Sequence, residues 1–93
     1  MRSSIRSAAP KYAVTVHPKV DEFITNIPES HRRDDARQFI NDLPDYPSVL
    51  SRWDIEKVKG RESTYRLRLG RYRIAFVIDK ARRTINVPDA VTK

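Results

Sequence analysis

The chain has 93 residues, no cysteine and a formal net charge of +7. That length supports one hydrophobic core and leaves no room for a second. The lack of cysteine excludes disulfides and thiolate metal sites. His17 and His31 are too scattered for a zinc centre, so no metal or cofactor is expected. No apolar run approaches the ~20 residues that a bilayer span needs, so no membrane association is expected and the cytoplasm is the expected compartment.

Residues 1–10 contain Arg2, Arg6 and three serines without an apolar segment. They do not read as a secretory signal. They are expected to form a disordered tail, with residues 11–93 forming a single domain. Tyr12 to Val16 is short and β-branched, the composition of a strand. Pro18 then suits a first helical position, where its missing N–H costs nothing. Val20, Phe23, Ile24 and Ile27 follow at helical spacing, which gives a short amphipathic helix ended by Pro28. Ala36, Phe39, Ile40 and Leu43 repeat the spacing, so a second helix is expected from about Glu29 to Leu43. The two helices form a hairpin whose apolar faces can lie on a sheet.

Pro44 and Pro47 break the second helix, and a loop is expected to about Arg52. Trp53 to Lys59 reads as a strand of imperfect alternation, since Ile55 and Val58 are three apart; a bulge or an early end would account for it. After a turn at Gly60–Ser63, residues 64–78 alternate apolar and basic side chains with a period of two. Gly70-Arg71 can form a two-residue type II′ loop. In that register Leu69 faces Tyr72, Arg68 faces Arg73, Leu67 faces Ile74 and Tyr65 faces Phe76. The apolar set seals a core, while Arg66, Arg68 and Arg73 share the other face. Like charges directly opposite destabilise a sheet, and no acid lies between Thr64 and Ile78. Such a face suits a polyanion. A last strand, Thr84 to Val87, is expected to stop at Pro88. The order β-α-α-β-β-β-β predicts an α+β fold: a largely antiparallel sheet with the helical hairpin on one face. The core is expected to include Val20, Phe23, Ile24, Phe39, Ile40, Leu67, Ile74 and Phe76.

Charge is segregated along the chain. Residues 1–56 carry eight Lys/Arg and nine Asp/Glu, whereas residues 57–93 carry eleven and three. One surface is therefore strongly positive, the electrostatic footprint of a nucleic-acid binder. The bland reading of any such charge is a solvated, solubilising face. Tyr65 and Tyr72 fall on the core side of the register, His17 and His31 read as incidental or structural, and Trp53 reads as packing more readily than as a base-stacking platform.

Lys57-Val58-Lys59-Gly60, followed after a short gap by Tyr65 to Ile74 (YRLRLGRYRI), resembles the signature of the RelE/ParE toxin superfamily, closest in style to its RelE-like branch. The resemblance covers roughly Tyr12 to Val87. It implies a toxin that enters the ribosomal A site and cuts mRNA there without metal, by attack of a ribose 2′-OH on the adjacent phosphate, and that is neutralised by a RelB-like antitoxin. It also implies that Arg66, Arg68 and Arg73 are the catalytic residues, since arginine stays charged and donates a planar fork to phosphate. Lys57, Lys59, Arg61 and Arg71 are expected to contact RNA and steer it. RelE-like chains usually continue past the last strand with a basic segment and often a His or Tyr that assists proton transfer. Here no Arg, His or Tyr lies beyond Arg83, so cleavage is expected to be weak or absent. A non-cleaving RNA or ribosome binder on the same fold, and a ParE-like toxin of DNA gyrase, are the alternative readings.

Overall fold

The computed structural model describes residues 11–93; the tail expected at residues 1–10 lies outside them. Five strands and two helices run in the order β1 (Ala13–Val16), α1 (Pro18–Thr25), α2 (Ser30–Asp42), β2 (Ile55–Lys57), β3 (Thr64–Leu69), β4 (Tyr72–Asp79) and β5 (Thr84–Thr92). They form one sheet of order β1-β5-β4-β3-β2. All neighbours are antiparallel except β1 and β5, which are parallel. This is the α+β arrangement expected from the sequence. Among the described residues no helix is long and apolar enough to cross a membrane.

The β3–β4 register is the expected one: Leu69 opposes Tyr72, Arg68 opposes Arg73, Leu67 opposes Ile74 and Tyr65 opposes Phe76. Gly70 at φ +58° supplies the left-handed first position that a type II′ loop needs. The space above it is also taken. A Cβ at Gly70 would lie 3.0 Å from the Arg32 guanidinium of α2, so a larger residue would have to push that side chain aside.

Both helices cover one face of the sheet. Val20, Ile24, Ala36, Phe39, Leu67, Ile74 and Phe76 are fully buried, while Phe23 and Ile40 are half-buried against the same cluster. The helices are stitched together by polar contacts. Arg33 donates to the Ile27 carbonyl at the joint (2.8 Å), and Arg37 bridges Asp21 and Thr25 of α1. His17 is structural: its Nδ1 accepts from the Lys19 N–H and caps α1. Trp53 packs edge-on against Phe39 and donates its indole N–H to Asp42 (3.1 Å).

Two expectations are corrected. The second strand is only three residues long, not Trp53 to Lys59, because the alternation fails at Val58 and the chain turns away. More consequentially, β5 does not stop at Pro88 but runs on to Thr92. Proline cannot donate to a ladder, yet it is tolerated at bulges and strand edges. Both apply here. β1 ends at Val16, opposite Val87, so from Pro88 onward β5 is an edge strand. On its other side the register shifts between Ala75 and Val77, so that Val87 and Pro88 share a span in which β4 has only Phe76. The missing N–H therefore falls where no pairing is required.

Candidate nucleic-acid interface

The open face of the sheet, opposite the helices, is built from the alternate positions that do not reach the core. Pairing aligns Glu56 of β2, Arg66 of β3, Ala75 of β4 and Asp89 of β5 in one row. The next row holds Arg68, Arg73 and Val91. Small Ala75 leaves a hollow between larger neighbours. The resulting cleft is lined by Arg61, Thr64, Arg66, Arg73, Ala75, Asp89 and Val91, among others. Val91, 47% exposed, adds apolar surface at its edge.

The arginines on this face are not unopposed. Although no acid lies within the hairpin itself, the neighbouring strand and the residue just before it supply two. Asp54 Oδ1 accepts from Arg68 Nε and Nη2 (3.2 and 3.0 Å), and Glu56 lies 3.8 Å from the same guanidinium. Glu56 also approaches Arg66 Nε at 3.4 Å, near enough for an ion pair but not aligned as a hydrogen bond, which leaves that buried N–H without an acceptor. The hydrogen bond from Arg68 to Asp54, reinforced by the carboxylate charges, pushes the Arg68 guanidinium further up from its already high range. These carboxylates offset the opposition of Arg68 and Arg73 that the hairpin alone presented. Asp54 and Glu56 could have been found from sequence by laying the short second strand beside the hairpin.

Arg73 is held differently. Its Nη1 donates to the carbonyls of Gly70 (2.6 Å) and Tyr72 (2.9 Å), which fixes the guanidinium against the hairpin turn. Guanidinium has five N–H donors, so Nε and Nη2 remain for a ligand. Arg61 reaches the cleft from the β2–β3 loop, whereas Lys57 and Lys59 line a shallow groove along that loop. Lys57 pairs with Tyr65 and so takes the helix-side parity, away from the arginine rows.

Arg71 does not join the cleft. It lies in the hairpin turn on the helix side, where Nη2 meets Glu29 (3.2 Å) and Nε meets the Tyr72 hydroxyl (3.3 Å). Tyr72 in turn donates to Glu29. Glu29 stands at the N-cap of α2 but makes no capping bond, because its carboxylate is committed to this cluster. The Tyr72 hydroxyl, with help from Arg71, holds the Glu29 carboxyl below its ordinary 4.5, and the Trp53 indole N–H holds Asp42 below its ordinary 3.8. A carboxyl depressed on folding stabilises the fold above its unfolded value, and that contribution is lost as pH falls through the lower folded value. Thermal stability is therefore expected to drop on acidification below about pH 4.5, and to drop less in Tyr72→Phe. Melting curves of both proteins at neutral and acid pH check this; parallel declines would show that the Tyr72–Glu29 contact is not responsible.

Comparison with known proteins bears on what this face is for. No protein-family model matches the chain. A Methanocaldococcus jannaschii protein carrying the provisional name toxin RelE1 is 28% identical over 68 residues, 73% of this chain and 74% of that protein. The chain is similar in sequence to a RelE protein. Its fold agrees: the crystal structure of an archaeal RelE–RelB complex from Pyrococcus horikoshii matches with a TM-score of 0.73 at 23% identity, covering 88% of this chain and 94% of that one. A RelB–RelE antitoxin–toxin complex from Methanococcus jannaschii matches at 0.68 and 23% identity, covering 84% and 88%. Isolated RelE toxin of E. coli matches at 0.63 and 13% identity, covering 87% and 83%. At such identities these structures establish a shared RelE fold.

Proposed function

We propose that this chain is a RelE-like toxin of a toxin–antitoxin pair and cleaves mRNA in the ribosomal A site, through metal-independent attack of a ribose 2′-OH on the adjacent phosphate. The observation that carries the reading is the cleft on the open sheet face, lined jointly by Arg61, Arg66 and Arg73. In that cleft Arg66 and Arg73 neutralise the charge that grows on the pentavalent phosphate. Arg61 and Lys59 hold the flanking backbone, whereas Lys57, on the helix-side parity, contributes only long-range attraction. Arg68 contacts the next phosphate when RNA competes with Asp54 and Glu56 for its guanidinium. The relatives described above are RelE proteins, two of them in complex with RelB, which favours a RelB-like antitoxin as partner; seven Lys/Arg against one acid between Lys57 and Arg73 favour RNA over gyrase as target.

Phosphate contacts predict salt-dependent RNA binding. The log of the affinity should fall against log salt with a slope of about 0.7 per phosphate neutralised on a single strand. Filter binding across a salt series checks this, and a flat profile would exclude phosphate contact as the source of affinity. One observation favours the non-cleaving alternative: no His or Tyr lines the cleft among the described residues. Primer extension on translated mRNA after induction decides between the two. Codon-phased cuts support the toxin; ribosome association with intact mRNA supports the binder.

A further inference from the structure

Among the described residues Asp89 is the one acidic residue lining the arginine cleft, and it is there because of the irregularity at Pro88. In an unbroken ladder Asn86 opposes Val77, so Pro88 would oppose Ala75 and Asp89 would turn to the helix side. The extra residue on β5 shifts this by one, and Asp89 opposes Ala75 instead. A one-residue shift exchanges the two faces of a strand, and bulges commonly re-aim a side chain beside a site. Arg66 opposes Ala75 from the other side. With strands about 4.8 Å apart, Arg66 and Asp89 flank Ala75 at a Cα separation of roughly 10 Å, a gap wide enough for a phosphodiester.

The carboxylate is also held in place. Lys19 Nζ of α1 reaches Oδ1 at 3.4 Å past the open edge of β5, and the Ala90 N–H donates to the same oxygen at 3.0 Å. Both contacts use Oδ1, which leaves Oδ2 to accept a proton. A carboxylate in a cleft that must attract RNA weakens binding, so its presence calls for a second role.

Resting on the cleavage reading above, we infer that Asp89 is the general base of the reaction. Asp89 Oδ2 takes the proton of the ribose 2′-OH as that oxygen bonds to phosphorus. The bond from phosphorus to the 5′-oxygen breaks, and the leaving oxygen takes a proton from water. The products are a 2′,3′-cyclic phosphate and a 5′-hydroxyl, and Asp89 returns its proton to solvent. Arginine cannot perform this step, because it stays protonated. The carboxylate thus supplies the proton acceptor that the arginines of the cleft cannot.

The test is Asp89→Asn beside wild type and Asp89→Glu, with single-turnover cleavage of mRNA on programmed ribosomes and RNA affinity measured in parallel. General-base loss is expected to slow Asp89→Asn by on the order of 10²–10⁴, while its RNA affinity holds or rises because a negative charge has left the cleft. Asp89→Glu should recover part of the rate. Asp89 is an exposed edge residue, so the variants should melt like wild type. Asp89→Asn cutting at the wild-type rate, or losing affinity and cleavage together, overturns the inference while leaving the toxin reading standing. Wild type that binds but never cuts overturns both.

Discussion

Arg73→Ala is expected to slow mRNA cleavage by on the order of 10²–10³ while leaving ribosome association nearly intact. The expectation follows from how Arg73 is held. Carbonyls of Gly70 and Tyr72 fix one end of its guanidinium at the turn, so the remaining donors meet the phosphate without reorganising. Donors fixed in advance act most strongly on charge that appears only in the transition state. Arg68 offers a contrast on the same row, since its charge is already matched by Asp54 and Glu56 in the free protein. Arg68→Ala should therefore have the smaller effect on the chemical step. Single-turnover rates for the two variants, with circular dichroism as a folding control, check the order. Equal losses in both, or an unimpaired Arg73→Ala, would remove Arg73 from the transition state.

Phe39→Ala is expected to cost about 3–5 kcal/mol, a large share of the 5–15 kcal/mol typical of small domains. Phe39 is fully buried and meets both Phe76 and Trp53 edge-on, at ring-centroid distances of 5.3 and 5.8 Å. Its removal thus opens a cavity where α2, the sheet and the segment before β2 converge. The single tryptophan reports the event: Trp53 fluorescence should shift toward that of an exposed indole at lower denaturant than in wild type. Ile40→Ala, from the half-buried side of the same helix, should cost less. A midpoint for Phe39→Ala within error of wild type would mean that the core does not depend on this ring.

The hairpin was legible down to its register because a period of two, a glycine at the loop and the burial of one face all agreed on it. The helices were legible for the same reason, their apolar residues recurring at a single helical spacing. Two things were not. Asp54 and Glu56 lie outside the hairpin, and their effect on Arg66 and Arg68 depends on which strand becomes the neighbour, a long-range fact. The continuation of β5 was hidden by Pro88, which reads locally as a stop. Proline is excluded only where a ladder bond is needed, and whether one is needed depends on where β1 ends and where β4 is irregular. Asp89 was missed with it, since a residue beyond the last expected strand has no assigned face.

The parallel pairing of β1 with β5 ties together residues roughly 70 positions apart, Ala13 with Thr84 through Val16 with Val87. Closing so long a loop is an entropic cost met before the contacts reward it, and ordering by distant contacts slows folding. During synthesis this has a vectorial consequence. While the C-terminal part of the chain is still inside the exit tunnel, β1 has no neighbouring strand, and the row that brings Asp89 beside Arg66 does not exist. A growing chain therefore cannot assemble the cleft on the ribosome that is making it until that strand has emerged.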